Sequence, residues 1–446
     1  MNQAFRSQFN TTVVGSLAYE LLVLAHSSAI LSIFGLETYG LLGSLLGIIH
    51  IVTHIADLGM TNSITPFLQI IVQNKQNWRF LLIQRTLLPH LPFVVLTSVG
   101  ALIFCFHSSL GQNINPILLI IILMLIVLET IQSFMRQLLY ALFKTKAIIT
   151  TELGLLILRI KSIWGLHFLT QYQITISLIM WSHLASALIC LTIFYLLLRQ
   201  SYQQLPDSDL DIPTNFGWRL ARNRASNYLL RLSRNIFAVH FLTPLFAFQF
   251  GLKTAGLFFF ASKLAKIVSA VVKLSIGYSG NGLLARVKNQ DLETKCAVFT
   301  QLASKLFSIV IPAGMLFFPL CIGGLHSGYL QSTAIHISLL CLLFLIITFF
   351  EFFFMLYEQW YILEEAAHHL CIIKLIELTA FFIIFRYFLF SAPEFLVILI
   401  VMRTLHFGFI ATHAYRTWGI TLVHKFDLQS YTWYAAFSCL CWYFLY

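Results

Sequence analysis

Long apolar segments, separated by short polar breaks, follow one another along almost the whole chain. A transmembrane helix needs about 20 mostly apolar residues in a row. The runs here are continuous and do not alternate with polar residues as they would in a membrane β-strand. The pattern therefore predicts an all-α polytopic membrane protein. Its twelve predicted spans lie at residues 12–35, 40–62, 86–107, 116–141, 147–167, 173–198, 228–250, 255–277, 298–323, 333–357, 368–390 and 394–416.

The longest polar break, residues 199–224, separates six spans from six. We predict two six-helix lobes related by pseudo-two-fold symmetry, at residues 1–200 and 216–426, joined by a cytoplasmic linker at 201–215. An extra apolar segment at 427–446 is long enough to form a further span or to lie at the interface with its Trp and Tyr side chains.

A repeated octet supports the prediction of two lobes. FGLETYGL at residues 34–41 returns as FGLKTAGL at 250–257, with six of eight positions unchanged and an offset of 216 residues. Each copy is predicted to form the outer turn between the first two spans of its half. Parallel repeats of this kind are a transporter architecture whose substrate path runs between the halves. Just after the first copy, Gly40, Gly43 and Gly47 have the small-residue spacing that favours close helix packing.

Lys and Arg in the polar breaks give the predicted orientation. With twelve spans they fall almost entirely on one side of the membrane, and the side rich in Lys and Arg is normally cytoplasmic. The N-terminus is therefore predicted to be cytoplasmic, and the C-terminus too unless residues 427–446 cross the membrane. The net charge of +11 follows from this topology, so it does not indicate nucleic-acid binding.

Composition narrows the class of protein further. Hydrophobic residues make up 59% of the chain and charged residues 10%, which excludes an ordinary soluble domain. The first apolar run has spanning length and lacks a signal-peptide cleavage pattern, so we expect it to remain as the first span. The eight cysteines form no CxxC pair and indicate neither a disulfide framework nor a metal site. Because the outer breaks are short, we predict no enzymatic domain, no catalytic residue and no cofactor.

Several basic residues lie inside predicted spans, where a charge needs a partner or water. Lys263, Lys266 and Lys273 are spaced by three and seven residues, so they share one face of the eighth span. For Arg231, Arg234 and Lys273, which lie toward the cytoplasmic ends of their spans, snorkelling to the interface is an alternative. Lys263, Lys266 and Arg403 are too deep for it and favour a water-filled cavity. The predicted substrate-binding set is Arg231, Arg234, Lys263, Lys266, Lys273 and Arg403.

Acidic and histidine side chains form a second set. His50, His54 and Asp57 follow spacings of four and three and share a stripe on the second span. A metal site, protonatable cavity lining and structural hydrogen bonding are the alternatives for this stripe. Protonatable lining is favoured, because no fourth metal ligand is evident. Glu129 and Glu351 are isolated deep carboxylates suited to binding H⁺ or Na⁺. The predicted ion-coupling candidates are His50, His54, Asp57, Glu129 and Glu351, and no metal site is predicted.

Other charged residues inside spans are left out of these two sets. Glu20 lies in the first span, and Lys374 and Glu377 have the i, i+3 spacing of a helical ion pair in the eleventh. His406, which follows Arg403 by three residues in the twelfth span, is also in neither set. Buried pairs of opposite charge can be purely structural.

Two stretches of the sequence resemble a known family. FGLETYGL, followed by IADLGMTNSITPFL at 55–68, resembles the N-terminal signature of polysaccharide flippases of the O-antigen transporter type. GLFFFASKLAKIVSAVVKLS at 256–275 is similar to the eighth helix of that group. These flippases belong to the multidrug, oligosaccharidyl-lipid and polysaccharide exporter (MOP) superfamily. The resemblance covers the twelve-span layout, and it involves specific residues in the first, second, seventh and eighth spans.

The resemblance implies a function. Members of the family move an undecaprenyl-diphosphate-linked oligosaccharide across the bacterial inner membrane by alternating access, for surface polysaccharide assembly. It also implies antiport with H⁺ or Na⁺ as the coupling ion, other polysaccharide assembly proteins as partners, and a cationic cavity. The deep positions of Lys263, Lys266 and Arg403 agree with such a cavity.

Two alternatives belong to other functional classes. A drug exporter of the same superfamily would share the fold, but its usual cationic substrates would be repelled by a basic cavity. A membrane-embedded polysaccharide polymerase or ligase would need a sizeable charged outer loop, and the predicted outer breaks are short and nearly uncharged.

Overall fold

The computed structural model describes eleven parts of the chain, and the structural description is confined to them: residues 3–57, 91–107, 115–142, 144–170, 174–203, 228, 238–275, 291–300, 334–363, 367–387 and 391–420. These residues are helical apart from short connections, and no strand occurs among them. The helices assigned there are α1 Gln3–Ala56, α2 Leu91–His107, α3 Pro116–Ala141, α4 Thr145–Thr170, α5 Ile176–Gln203, α6 Val239–Phe250, α7 Leu252–Ser275, α8 Ala334–Leu363, α9 Ala367–Tyr387 and α10 Ala392–Trp418.

The all-α prediction is confirmed, and most predicted spans coincide with a helix. The helix α3 has the predicted bounds, and α4, α5, α7, α9 and α10 begin and end within a few residues of the predicted ones. The predicted span at 298–323 lies almost entirely outside the described residues, so the number of twelve spans stays a prediction. Four described segments are long and apolar enough to cross a membrane: Leu17–Ala56, Pro116–Arg136, Ile176–Ser201 and Pro393–Trp418.

The repeated octet adopts the same backbone conformation in both copies. Gly35 interrupts α1 with φ 72° and ψ 177°, and Gly251 separates α6 from α7 with φ 86° and ψ 164°. A positive φ combined with an extended ψ is essentially restricted to glycine. Each octet therefore forms the break between two consecutive helices, as predicted from the sequence.

The chain forms two compact units and passes between them inside the octets. Unit 1 comprises Met1–Leu36 and Gly256–Tyr446, and unit 2 comprises Glu37–Ala255. The two crossing points fall within 34–41 and 250–257. The first arm of α1, before Gly35, thus belongs to unit 1, and the second arm, after Gly35, belongs to unit 2.

The predicted lobes are sequence halves and are not the same divisions as these compact units. Most of the predicted linker at 201–215 and all of the segment 427–446 lie outside the described residues. The predicted lobe boundaries therefore stay predictions.

Unit 2 is built around α3, which contacts α2, α4 and α5. Its buried positions Leu118, Ile121, Ile122, Leu125 and Ile126 recur at helical spacing and lie together on one face. The polar Gln132, two turns further along α3, donates a hydrogen bond of 2.8 Å to the Ala187 carbonyl oxygen of α5. Apolar packing and this hydrogen bond join α3 to α5.

Unit 2 also contains a close approach between the second arm of α1 and α6. A Cβ atom added to Gly47 would lie 2.5 Å from the His240 carbonyl oxygen and 2.8 Å from two ring carbons of Pro244. Because Pro244 has no N–H, the carbonyl of His240 four residues earlier lacks its usual helical donor. Gly47 approaches this carbonyl with only hydrogen on its α-carbon. The predicted packing role of Gly47 is confirmed.

In unit 1, α8, α9 and α10 pack against one another. The largest side chains buried there include Trp360, Tyr361, Phe381 and Phe395. The helix α10 begins after Ser391, whose backbone N–H donates a hydrogen bond of 2.8 Å to the Glu394 carboxylate. This reciprocal cap satisfies an N–H group at the start of the helix and fixes where α10 begins.

Candidate functional site

Glu20 and Lys266 form an ion pair inside unit 1. Glu20 lies on the first arm of α1 and Lys266 on α7, with 2.9 Å between Lys266 Nζ and Glu20 Oε1. Glu20 is buried, whereas Lys266 keeps 42% of its side chain exposed. The lysine is therefore the more exposed member of the pair.

Lys263 lies one turn before Lys266 on α7, about 60° around the helix. Its ammonium group lies 4.9 Å from the centre of the Phe259 ring, which is a cation–π contact. Glu20 forms the ion pair with Lys266 and also interacts electrostatically with Lys263. When both lysines are protonated, the group of Glu20, Lys263 and Lys266 carries one surplus positive charge. We call Lys263 and Lys266 the basic pair.

The other predicted members of the basic set are less informative. Lys273 lies on α7 at the same predicted face, but its side chain is outside the described part of the structure. Arg231 and Arg234 also lie outside the described residues.

Arg403 is placed differently from the basic pair. It lies on α10, is buried, and its Nη1 is 3.3 Å from Glu377 Oε1 of α9. Its guanidinium carbon lies 5.2 Å from the centre of the Phe354 ring on α8. The charge of Arg403 is compensated inside unit 1, so we do not include Arg403 in the anion site proposed below.

The predicted pairing of Lys374 with Glu377 is wrong. Lys374 bonds to Glu358 of α8, and Glu377 bonds to Arg403 and to His406 of α10. Partners on neighbouring helices replace the partner within one helix, because α8, α9 and α10 bring these side chains together. The sequence spacing alone could not indicate this.

Two of the predicted ion-coupling candidates, His50 and Glu129, lie close together in unit 2. His50 Nδ1 lies 3.5 Å from Glu129 Oε2, so Glu129 is not the isolated carboxylate that the sequence indicated. The His50 ring also lies 4.3 Å from the His240 ring of α6, centre to centre. This cluster joins three helices and contains three groups that can bind a proton.

The remaining predicted coupling residues are Asp57, His54 and Glu351. Asp57 is buried at the end of α1, where its backbone N–H donates to the Thr53 carbonyl oxygen at 3.0 Å. His54 and Glu351 are partly buried, on α1 and α8. Within the described residues, no three His, Cys, Asp or Glu side chains come together as a metal site.

Sequence reasoning missed several partners of charged groups in unit 2. Arg136 Nη2 lies 2.7 Å from Glu152 Oε1, joining α3 to α4. Arg159 Nη1 lies 3.0 Å from His183 Nδ1 on α5. Because a charge inside a span needs a partner or water, the sequence indicated that such contacts could exist. It could not identify the partners, since these depend on which helices are neighbours.

No protein-family model matches the chain, and no curated protein sequence matches it. Solved structures do match. A MATE in complex with MaL6 is 14% identical and aligns with a TM-score of 0.59 over 92% of this chain and 95% of its own. An inward-facing multidrug resistance MATE family transporter of the MOP superfamily is 13% identical, with a TM-score of 0.59 over 90% of this chain and 98% of its own. The chain has the MATE transporter fold.

A third structure shows the same fold with another pocket. It is a MOP superfamily transporter from Pyrococcus furiosus whose binding pocket is described as having reverse polarity, suggesting a different function. It is 11% identical, with a TM-score of 0.51 over 91% of this chain and 94% of its own. At these identities the likeness establishes the MATE fold alone. The charge of the site must therefore be taken from the side chains of this chain.

Proposed function

We propose that this protein is a flippase that moves an undecaprenyl-diphosphate-linked oligosaccharide across the bacterial inner membrane by alternating access. The observation that carries the proposal is the basic pair: two lysines at mid-helix share one carboxylate, Glu20, and Lys266 is accessible. A charged side chain inside a membrane span lowers stability, so such residues are normally paired with an opposite charge or take part in function. The MATE fold and the sequence resemblance to polysaccharide flippases support the same function.

The chemistry of the basic pair fits a diphosphate. A diphosphate carries several negatively charged oxygens, and ammonium groups bind such oxygens by charge-assisted hydrogen bonds. Two ammonium groups one helical turn apart can contact two neighbouring phosphate oxygens at once. In the absence of substrate, Glu20 compensates Lys266. The substrate would then replace Glu20 as a partner of Lys266, so the site need not hold two uncompensated charges when it is empty.

Ion coupling is part of the proposal. H⁺ or Na⁺ would drive the cycle in antiport, and the His50–Glu129 contact makes these two the best supported of the candidates predicted from sequence. His54, Asp57 and Glu351 remain candidates. The protein would act in the bacterial inner membrane, with a cytoplasmic N-terminus and other polysaccharide assembly proteins as partners, and without a cofactor or enzymatic activity.

A drug exporter is the second candidate function. The inward-facing structure with the same fold is a multidrug resistance transporter, and a buried carboxylate such as Glu20 is the kind of group that binds a cationic drug. Against this, Glu20 already forms an ion pair with Lys266. Lys263 adds a further positive charge that would repel a cation.

Deleting the gene from its host separates these two functions. We expect loss of the surface polysaccharide and no change in sensitivity to cationic dyes such as ethidium, because the basic pair selects an anion. Surface polysaccharide is measured by gel electrophoresis of cell extracts, and dye sensitivity by growth inhibition. Intact surface polysaccharide together with increased ethidium sensitivity would favour the drug exporter instead.

A further inference from the structure

Five ionisable side chains meet at the interface of α8, α9 and α10 in unit 1. Each is at most 8% exposed, and each helix contributes one or two: Glu358 from α8, Lys374 and Glu377 from α9, and Arg403 and His406 from α10. His406 is near the middle of α10, and Glu377 is near the middle of α9. We call these five residues the buried cluster.

Four members of the buried cluster compensate one another without the fifth. Lys374 bonds to Glu358, and Arg403 bonds to Glu377. With both carboxylates ionised and both Lys374 and Arg403 protonated, these four groups have a net charge of zero. His406 is thus the additional member, and the cluster is neutral when His406 is neutral and carries one positive charge when His406 is protonated.

The position of His406 determines which of its nitrogens can accept a proton. Its Nδ1 contacts Glu377 Oε2, and a hydrogen bond between these two atoms needs one hydrogen. Arg403 favours the ionised form of Glu377, so we assign that hydrogen to Nδ1. The other nitrogen, Nε2, is then a bare acceptor. It is buried and has no hydrogen-bond partner within the described part of the chain.

A carboxylate that orients a histidine and leaves Nε2 free is an arrangement suited to proton transfer. A proton bound at Nε2 turns His406 into a cation that Glu377 stabilises directly. The Phe354 ring packs against the His406 ring, with 4.6 Å between their centres, and helps to hold its orientation. Within the described residues, the charged side chains that act on His406 from the packed helices are Glu377, Arg403 and Lys374, and Lys374 is itself paired with Glu358.

The same geometry argues against Na⁺ at this place. Sodium needs several oxygen ligands, whereas Glu377 Oε2 already contacts His406 and Glu377 Oε1 lies 3.3 Å from the cationic Arg403 Nη1, which would repel a second cation. A proton needs only the free nitrogen. We propose that His406, held by Glu377, binds and releases the coupling proton of the transport cycle. This inference rests on the proposed transport function and names its ion and its ion-binding residue.

His406 and Glu377 are not among the ion-coupling candidates predicted from the sequence. The His50–Glu129 contact in unit 2 is longer, at 3.5 Å, and His50 keeps 39% of its side chain exposed. His50 is therefore the more exposed of the two histidines. A proton on His406 is held in a buried and otherwise neutral cluster, where its charge has a larger effect on the packing of α8, α9 and α10.

The test uses the full-length protein in sealed vesicles of phosphatidylethanolamine and phosphatidylglycerol, in sodium-free buffer. The probe is a fluorescent disaccharide linked to undecaprenyl diphosphate, and an impermeant quencher reports its distribution between the leaflets. With one coupled proton per probe, each pH unit across the membrane shifts this distribution by up to about tenfold. The variant is His406→Asn, whose amide can replace the Nδ1–H donor to Glu377 but cannot take up a proton.

The matched control is His413→Asn. His413 lies two turns further along α10 and also faces α8, where its Nδ1 is 2.7 Å from the Tyr361 hydroxyl. We expect the pH-dependent shift in the wild type and in His413→Asn, and an even distribution at every pH gradient in His406→Asn. A full shift in His406→Asn would overturn the proposal. So would a wild type that flips the probe without any shift, although the proposed flippase function would then stand.

Two further measurements cover the other outcomes. If His406→Asn fails to accumulate in the membrane, the double variant Glu377→Gln with Arg403→Gln keeps the charge balance and removes the carboxylate that orients His406. It too must lose the shift.

If the wild type does not flip the probe at all, the proposed function fails, and the proton site is judged by acid titration of the purified protein. In a titration from about pH 8 down to about pH 4, His406→Asn must bind about one proton fewer than the wild type, and equal uptake overturns the assignment.

Discussion

Replacing Lys266 by alanine is expected to abolish surface polysaccharide assembly while the protein remains in the membrane. Hydrogen bonds to charged groups contribute about 1.5–3 kcal/mol each, so the loss of one should weaken binding of the diphosphate by roughly 10- to 100-fold. Lys266 is the more exposed lysine of the basic pair. Without it, Lys263 would be the one remaining member of the basic pair that can bind the diphosphate. The measurement is surface polysaccharide per unit of membrane-inserted protein.

The controls for this substitution separate binding from folding. Lys253→Ala removes an exposed lysine from the first turn of the same helix and should leave assembly unchanged. Lys266→Arg keeps the charge and should retain part of the activity. Because Lys266→Ala leaves the buried Glu20 without this partner, the double variant with Glu20→Gln restores the charge balance. Normal assembly in Lys266→Ala would contradict the assignment of the anion site.

Replacing Gly47 by alanine is expected to destabilise unit 2 strongly. The added methyl group would lie 2.5 Å from the His240 carbonyl oxygen, and backbone cannot move aside as a flexible side chain can. Overpacking of a core typically costs 1–3 kcal/mol, and we expect about 3 kcal/mol here. The measurement is thermal unfolding of the detergent-purified protein, together with its yield from membranes.

Gly154→Ala is the matched control for Gly47→Ala. Gly154 also lies inside a helix of unit 2, α4, and a Cβ atom there meets nothing within 4 Å. Alanine has the higher helix propensity, so this control should be neutral or slightly stabilising. Equal unfolding temperatures for the two variants would show that α1 and α6 are further apart at Gly47 than the 2.5 Å contact requires.

The apolar pattern predicted most of the helices, because a bilayer requires a fixed length of apolar chain whatever surrounds it. The octets were predictable for a similar reason. Their sequence repeats, and the glycine in each copy permits a backbone conformation that other residues rarely adopt. Both kinds of prediction depend on local sequence, and they succeeded where the structure describes the residues.

The charged contacts were predicted less well, since they depend on which helices are neighbours. Spacing placed Lys263 and Lys266 on one face of α7, but it could not show that Glu20, far away in sequence, forms an ion pair with Lys266. The depth of Arg403 suggested a water-filled cavity, whereas the structure compensates its charge with Glu377. A deep charge in a sequence predicts a partner or water, and only the fold distinguishes between them.

The most direct test of the central claim compares two probes in vesicles containing the purified wild-type protein. Both carry the same fluorescent disaccharide on the same polyprenyl chain, one through a diphosphate and the other through an uncharged ether linkage. Recognition of the anion by Lys263 and Lys266 predicts that the diphosphate probe is flipped and that the uncharged probe crosses no faster than in protein-free vesicles. Equal flipping of the two probes would contradict it.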